Sequence, residues 1–312
     1  MSPHLRYGQN VDTVLRQRHD GRQLRLAELV TAAISVTCLL AACSGGPFGS
    51  HLSPSPSSAV TSPAHARGAL AWLLTRAALL QVIEDNQVKE LLNGSPLYEL
   101  LQPGQQPLAG IAANSVITFS SAVALQRAVE GGQIPAGTYG VLYDPEAWSY
   151  TPTAEQRDPV AAAAKAAAVA HAHGLRFVVA PALNLATLLA PGSGSRWQAF
   201  LKLGLIGQLA KVADVVEFQA QSLERDTATY ASFVSAAASQ ATAAHPGVTL
   251  LAGLSTNPPG AAVTTEHLLS AIQATRSVVD GYWLNVPGQG PRCPTCNAPR
   301  PDIAIQTLQQ LG

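Results

Sequence analysis

Residues 158–180 read DPVAAAAKAAAVAHAHGLRFVVA, a helix, a turn and a strand in immediate succession. Asp158 is a residue type that caps helix N-termini, and Pro159 suits the first turn, where no backbone donor is needed. Gly174 follows His173 as a C-terminal stop. The stretch therefore predicts a helix over residues 161–173 and a buried strand that starts near Arg176.

Five other short runs rich in β-branched and aromatic residues have the same strand character. They start near Ser115, Tyr139, Asp214, Thr249 and Asp280. The six starts are separated by 24, 37, 38, 35 and 31 residues, and every gap except the first holds a helical pattern. Further helices are predicted over residues 197–212, 227–244, 266–277 and 301–311. Strands that alternate with helices at this spacing predict a parallel sheet with right-handed crossovers.

The sheet could close into a (β/α)8-type barrel or remain open. No Gly-x-Gly-x-x-Gly follows a strand and no Gly-Lys-Ser/Thr loop occurs, which disfavours nucleotide-binding open sheets, and we expect no cofactor. We therefore predict a TIM-like barrel over residues 114–312. Only six of its eight strands are recognised, so the barrel is either incomplete or completed by a strand near residues 108–111.

The segment before the barrel, residues 67–113, is predicted to be a helical N-terminal extension. Its main helix is expected over residues 69–92, where apolar residues recur at helical spacing and Asn93-Gly94 follows as a stop. The apolar face of this helix needs a partner, so we expect it to pack on the outside of the barrel.

Strand parity places polar side chains inside the predicted barrel. In the run that starts near Asp214, Val216 and Phe218 share the face expected to meet the helices. The opposite face, which points toward the C-terminal mouth, carries Glu217, Gln219 and Gln221. The same parity puts Trp283 and Asn285 on the inner face of the last run. Barrel enzymes keep their active sites at this mouth.

Two more carboxylates follow the run that starts near Tyr139, in the sequence Tyr143-Asp144-Pro145-Glu146-Ala147-Trp148. Asn184 stands beyond the end of the next run. A mouth lined by carboxylates, amides and indoles suits a neutral polyhydroxylated ligand, because acids and amides bind hydroxyls and an indole stacks under a sugar ring. The predicted ligand-binding residues are Trp148, Asn184, Gln219, Gln221, Trp283 and Asn285.

Over residues 114–312 the chain resembles glycosidase-type TIM barrels of bacterial surfaces. The resemblance implies two-carboxylate hydrolysis of a poly- or oligosaccharide, with Glu217 as general acid/base and Asp144 or Glu146 as the second carboxylate. The sequence lacks the Asp-x-x-Asp-x-Asp-x-Glu motif of chitinase-like barrels, and Val216 stands where many retaining barrels have Asn before Glu.

Each of these residues also has a purely structural interpretation. Asp144 and Glu146 could form a turn and a helix start, Glu217 a salt bridge, and Trp283 part of the core. The same domain could then be a non-catalytic module that binds envelope glycans or small molecules, or a structural surface protein. The sequence Glu224-Arg225-Asp226 is predicted to be a solvated helix start.

Cys293 and Cys296 are separated by Pro294-Thr295 in a Pro-rich loop. No second Cys pair or nearby His completes a zinc site, and the pair does not open a helix as redox pairs do. In an oxidising compartment a small structural disulfide is the simplest interpretation, with redox activity, metal binding or free thiols as alternatives.

The N-terminal segment is predicted to be a secretory signal over residues 1–42, with basic residues before a 14-residue apolar run that ends at Ala42. Leu40-Ala41-Ala42-Cys43 resembles the lipobox of bacterial lipoproteins. The resemblance implies that the Cys43 thiol carries a diacylglyceryl group and anchors the chain to the extracytoplasmic face of the membrane. The alternative is a transmembrane anchor, for which 14 residues are short of the about 20 required. The Ser/Pro-rich residues 43–66 are predicted to be a tether.

The charge balance excludes one class of partner. Beyond residue 42 the chain has 14 Lys and Arg against 16 Asp and Glu, a formal net charge of −2. A nucleic-acid-binding domain usually carries a positively charged surface, which this charge balance does not indicate, so we expect no nucleic acid as a partner. Arg outnumbers Lys 15 to 4 in the whole chain, which is typical of high-GC, actinobacterial genomes.

Overall fold

Eight parallel strands form a closed barrel in which every strand pairs with its neighbours in chain order, and β8 pairs with β1. The computed structural model describes residues 69–259 and 262–312. The strands are β1 (Ala71–Thr75), β2 (Leu97–Leu101), β3 (Asn114–Phe119), β4 (Gly140–Tyr143), β5 (Arg176–Val179), β6 (Val215–Phe218), β7 (Thr249–Ser255) and β8 (Gly281–Asn285). The architecture is the (β/α)8 barrel that the strand–helix alternation predicts.

Helices surround the barrel between successive strands. They are α1 (Arg76–Val82), α2 (Asn86–Asn93), α3 (Ala122–Glu130), α4 (Thr153–Arg157), α5 (Pro159–Ala172), α6 (Ala186–Leu189), α7 (Arg196–Leu203), α8 (Leu205–Ala210), α9 (Thr227–Ala244), α10 (Thr265–Thr275) and α11 (Pro301–Gln309), with a 3-10 turn at Leu183–Leu185. Asp158 caps α5 as predicted, since its side chain accepts a hydrogen bond from the backbone N–H of Ala161.

Side-chain alternation divides the core into two layers. Inward residues such as Val215, Leu251 and Trp283 form a cluster inside the barrel. Outward residues such as Val216 and Phe218 join a larger cluster between the strands and the helices. The face assignments made from sequence for β6 are therefore confirmed.

The segment before residue 114 differs from its prediction. The predicted helix over residues 69–92 is in fact β1 followed by α1 and α2, and β2 follows before residue 114. Residues 108–111 form no strand. The barrel thus obtains its two missing strands from the segment interpreted as a helical extension. The sequence conceals β1 because its apolar residues and those of α1 together match a helical spacing across Thr75-Arg76.

Two smaller differences concern the helices. The gap after β3, which shows no helical pattern in sequence, holds α3, whose N-terminus is capped by Ser121. The single helix predicted over residues 197–212 is divided into α7 and α8 at Gly204, which adopts a left-handed conformation with φ of 64°. A left-handed residue ends an α-helix, and glycine adopts this conformation without a Cβ clash.

The predicted signal segment, Cys43 and the tether over residues 43–66 lie outside the described residues. Among residues 69–259 and 262–312, the longest and most apolar helices still fall short of what is needed to cross a bilayer.

Candidate functional site

The C-terminal ends of the strands and the loops that follow them enclose a cavity of about 890 Å³. This volume is within the about 300–1,000 Å³ typical of small-molecule sites. The cavity wall includes all six predicted ligand-binding residues and two of the three predicted catalytic residues: Trp148, Asn184, Gln219, Gln221, Trp283, Asn285, Asp144 and Glu146. The third predicted catalytic residue, Glu217, is not part of the wall.

Asp144 follows the end of β4 and is 7% exposed. Its Oδ1 accepts a hydrogen bond of 2.6 Å from Nε2 of Gln219, and the same Nε2 lies 2.8 Å from the carbonyl oxygen of Ala180. Gln219, just past β6, therefore connects the carboxylate to the end of β5. This arrangement holds Asp144 in one orientation at the floor of the cavity.

Glu146 lies two residues further along and is half-buried. Its Oε2 accepts a hydrogen bond of 3.2 Å from Nδ2 of Asn184, while Oδ1 of Asn184 accepts one of 2.8 Å from the backbone N–H of Ala147. The backbone N–H of Glu146 donates to Oγ1 of Thr151 at 3.2 Å. Asn184 thus fixes both the loop and the carboxylate that the loop carries.

The environment of these two acids favours their protonated forms. Burial raises the pKa of Asp144 well above its usual range and the charge of Glu146 raises it further, against the hydrogen bond from Gln219 and the charge of Arg292. Burial also raises the pKa of Glu146, against the hydrogen bond from Asn184 and the charge of Arg292. Two adjacent carboxyls in such a site tend to retain one proton near neutral pH.

Glu217 is on the interior face of β6, as parity predicts, but it is completely buried. Within the described part of the chain, neither of its carboxyl oxygens has a hydrogen-bond partner. Burial raises the pKa of Glu217 well above its usual range, and the charges of Asp144 and Glu146 add to the effect. Glu217 lies beneath the cavity floor, where it cannot contact a ligand directly.

Trp283 is on β8 and faces the barrel interior, 7% exposed. It belongs to the interior apolar cluster and also forms part of the cavity wall. Trp283 therefore packs in the core, which is one of the two interpretations made from sequence, and it also lines the cavity, so ligand binding at this residue stays a prediction.

Aromatic residues and arginines that sequence reasoning missed form the outer wall. Cζ of Arg292, from the loop after β8, lies 6.0 Å from the ring centroid of Trp148 and 5.6 Å from that of Tyr150. The two rings pack edge to face, 5.0 Å apart. Trp148 is oriented by a hydrogen bond of 2.9 Å from its Nε1 to Oγ1 of Thr151. Trp197 and Arg196, from the start of α7, complete this part of the wall.

Cys293 and Cys296 form a disulfide in the loop that carries Arg292. The backbone of Gly290 and Cys293 forms an isolated bridge in the same loop. Both cysteines are part of the cavity wall. The disulfide therefore constrains a loop that shapes the site.

Glu224 was predicted to be solvated, and this is wrong, because its side chain is completely buried. Its Oε1 accepts a hydrogen bond of 2.7 Å from the backbone N–H of Ser255, and burial raises its pKa to about 7. The neighbouring Asp226 does cap α9, as a helix start should. Ser222, at φ of 83°, turns the chain just before Glu224, and no sequence pattern reveals this turn in advance.

Among residues 69–259 and 262–312, no group of three or more His, Cys, Asp or Glu side chains is arranged to hold a metal ion.

Several solved structures have a similar fold. A candidate alpha-L-fucosidase from Bacteroides thetaiotaomicron is 7% identical, with a TM-score of 0.48 over 84% of this chain and 98% of that one. A curdlan-specific exo-beta-1,3-glucanase from Blastomyces gilchristii is 14% identical, with a TM-score of 0.43 over 69% of this chain and 88% of that one. Triosephosphate isomerase from Bartonella henselae is 12% identical, with a TM-score of 0.41 over 70% of this chain and 92% of that one.

No protein-family model matches the sequence, and no curated protein matches it. Because these three solved structures are at most 14% identical to this chain, their similarity to it concerns the barrel fold alone. An activity has to be argued from the cavity itself.

Proposed function

We propose that this barrel is a carbohydrate-active enzyme that hydrolyses a glycosidic bond. The observation that carries the proposal is the pair Asp144 and Glu146, two carboxyls with raised pKa values that line one cavity at the mouth of the barrel. Glycoside hydrolysis requires two such carboxyls with different roles. Indole rings and amides in the same wall supply stacking and hydrogen bonding for sugar rings.

Glu146 takes the role of general acid/base in this proposal. It is the more accessible of the two carboxyls, and its raised pKa suits a group that must donate a proton near neutral pH. It would protonate the oxygen of the leaving group. Asn184, which contacts both the carboxylate and the backbone of its loop, positions it.

Asp144 is the second carboxylate, either as a nucleophile at the anomeric carbon or as the base that activates water. The hydrogen bond from Gln219 stabilises the carboxylate of Asp144 against burial and the charge of Glu146, which together raise its pKa, so ionisation of Asp144 requires Glu146 to carry the proton. Glu217, the acid expected from sequence, lacks access to the cavity, so we assign it no contact with the substrate.

The test is hydrolysis of a panel of oligosaccharides by the full chain and by Glu146→Gln. We expect this variant to fold and to bind oligosaccharide, but to lose turnover by about 10²–10⁴-fold, the usual contribution of general acid–base catalysis. Glu90→Gln, an exposed change on α2 away from the cavity, is the matched control and should retain full activity.

Two results would contradict the proposal. Full activity in Glu146→Gln would remove Glu146 from the chemistry. Binding of oligosaccharides without turnover of any of them by the wild-type chain would favour the non-catalytic binding module instead.

We also propose that the protein is anchored by lipid at Cys43 on the extracytoplasmic face of the membrane. The basic leader, the short apolar run and Leu40-Ala41-Ala42-Cys43 support this location. The disulfide between Cys293 and Cys296 fits an oxidising compartment.

Cys43→Ala should move the protein from the membrane fraction to the soluble fraction, because each buried methylene of a lipid chain contributes about 0.8 kcal/mol. The measurement is detergent-phase partitioning of cells that express each form. Cys38→Ala, a thiol within the same apolar run, is the matched control and should remain in the membrane fraction. Unchanged partitioning of Cys43→Ala would show that the anchor lies elsewhere.

A further inference from the structure

Among the residues that the structure describes, Arg196 and Arg292 line the cavity without a carboxylate partner, whereas Arg127, Arg157 and Arg225 also lack an ion pair but lie outside the cavity wall. Arg76, Arg176 and Arg300 form ion pairs with Glu99, Asp214 and Asp302 at 3.4, 2.7 and 2.7 Å. Within residues 69–259 and 262–312, the guanidinium groups of Arg196 and Arg292 form neither an ion pair nor a hydrogen bond. Both side chains are exposed and both contribute to the wall.

Arg292 is held in position by aromatic rings in place of a carboxylate. Its guanidinium lies near the rings of Trp148 and Tyr150, and the hydrogen bond to Thr151 fixes the Trp148 ring. Stacking on an aromatic ring stabilises the cation and leaves its N–H donors available to another acceptor. The disulfide in the same loop further restricts its movement.

The acids near these cations do not neutralise them by contact. Asp144 and Glu146 are hydrogen-bonded to Gln219 and Asn184, not to an arginine. Their raised pKa values lower the negative charge of the cavity floor, so an anion bound at the arginines would meet little repulsion.

We propose that the cavity recognises an acidic saccharide, with Arg292 and Arg196 binding the anionic substituent while a sugar ring stacks on the neighbouring indoles. A single guanidinium binds a planar carboxylate through two parallel hydrogen bonds, so a uronic acid is the substituent that suits Arg292 best, and sulfate and phosphate esters share the chemistry. This proposal replaces the expectation of a neutral ligand with an acidic one and so names the substrate class of the proposed function. It rests on the proposed function only for the statement that the bound saccharide is hydrolysed.

The experiment measures binding separately from turnover. The full chain with Glu146→Gln is titrated by calorimetry with oligogalacturonate and with its fully methyl-esterified form, in which each carboxylate is replaced by an uncharged methyl ester. Sulfated and phosphorylated oligosaccharides, each with its uncharged parent, form the other arms. We expect the oligogalacturonate to bind at least about tenfold more tightly than the ester. Salt should weaken the binding of the acid more than that of the ester.

Arginine variants in the same background assign the effect to its residue. Arg292→Gln should weaken binding of the acidic saccharide at least about tenfold and should leave the affinity for its ester almost unchanged. Arg292→Lys should recover only part, since an ammonium keeps the charge but loses the planar pair of hydrogen bonds. Arg127→Gln, on the outer surface in α3, is the matched control and should change neither affinity.

Equal affinity for every acidic saccharide and its uncharged parent would overturn the inference. Equal losses of affinity for both ligands in Arg292→Gln would overturn it too. So would a preference for amino sugars, or no binding of any acidic saccharide. The two proposals can fail separately. Selective binding of an acidic saccharide that the wild-type chain does not hydrolyse would contradict the proposed hydrolysis alone. Hydrolysis of neutral and acidic saccharides without preference would contradict the inference alone.

Discussion

Glu217 is a fully buried acid whose carboxyl oxygens have no hydrogen-bond partner among the described residues. A buried carboxylate without hydrogen bonds would lose its hydration and gain nothing in return, so the neutral acid is the stable form. The charges of Asp144 and Glu146 act in the same direction. Retaining a proton beneath the cavity is therefore a consequence of position, and it requires no catalytic role.

The stability of the protein should consequently depend on pH through Glu217. The pKa of this group in the unfolded chain is near 4.5, the ordinary value for a glutamate, and folding raises it. Above that pH the unfolded chain ionises first, which stabilises the unfolded state relative to the folded one, so stability is lost as pH rises toward the folded pKa.

Glu217→Gln removes this titration while nearly conserving the shape of the side chain. We expect the variant to be more stable than wild type at about pH 8 and to lose this advantage at about pH 4, where both states of wild type are protonated. Thermal unfolding of both forms across this range is the measurement, with Glu90→Gln as an exposed control. An advantage of the same size at every pH would mean that Glu217 does not retain its proton on folding.

At the scale of elements, periodicity accounts for what could be predicted. Strands β3 to β8 were recognised because turn residues bound each apolar run and a helix separates most of them. The inner faces followed from the two-residue repeat, which correctly placed Gln219, Gln221, Trp283 and Asn285 in one cavity wall.

The same repeat fails for β1 because a parallel strand buried on both faces has no polar alternation to reveal it. Trp72, Leu73 and Leu74 are all buried, on opposite faces of the barrel wall, and α1 begins directly after Thr75. The apolar residues of the strand and of the helix therefore merge into one apparent helical stripe.

Loops account for the part of the site that sequence could not predict. Arg292 and Tyr150 reach the cavity through the conformations of two separate loops, and Arg196 through the loop that precedes α7, which no repeat describes. Glu224 is buried by the local turn at Ser222. Side chains on the strands were predicted by their spacing, and Asp144, Glu146 and Trp148 by their place directly after β4, whereas loop residues far from a strand end were located only by tertiary structure.

For the whole molecule, closure depends on β1, which pairs with both β2 and β8. The close approach of β1 and β8 is visible at Gly281, where a Cβ would collide with the backbone of Ala71. Thr75 from β1 and Leu100 from β2 also form part of the cavity wall. The first two strands are thus required both for a barrel without open edges and for a complete site.

Two truncated chains distinguish this arrangement from the domain boundary at residue 114 suggested by sequence. A chain of residues 69–312 contains all eight strands, and we expect it to unfold cooperatively with the melting temperature of the barrel in the full-length protein. A chain of residues 114–312 lacks thirteen buried apolar residues, among them six strand residues, Trp72, Leu73, Leu74, Leu97, Leu100 and Leu101. At about 1.5–3 kcal/mol each, the loss of these six approaches or exceeds the about 5–15 kcal/mol by which domains are stable. The shorter chain should show no cooperative transition by circular dichroism.

A sharp thermal transition of the shorter chain, with native helix content, would contradict this expectation. It would mean that β1 and β2 are dispensable for stability, as the interpretation of residues 67–113 as an external extension implies.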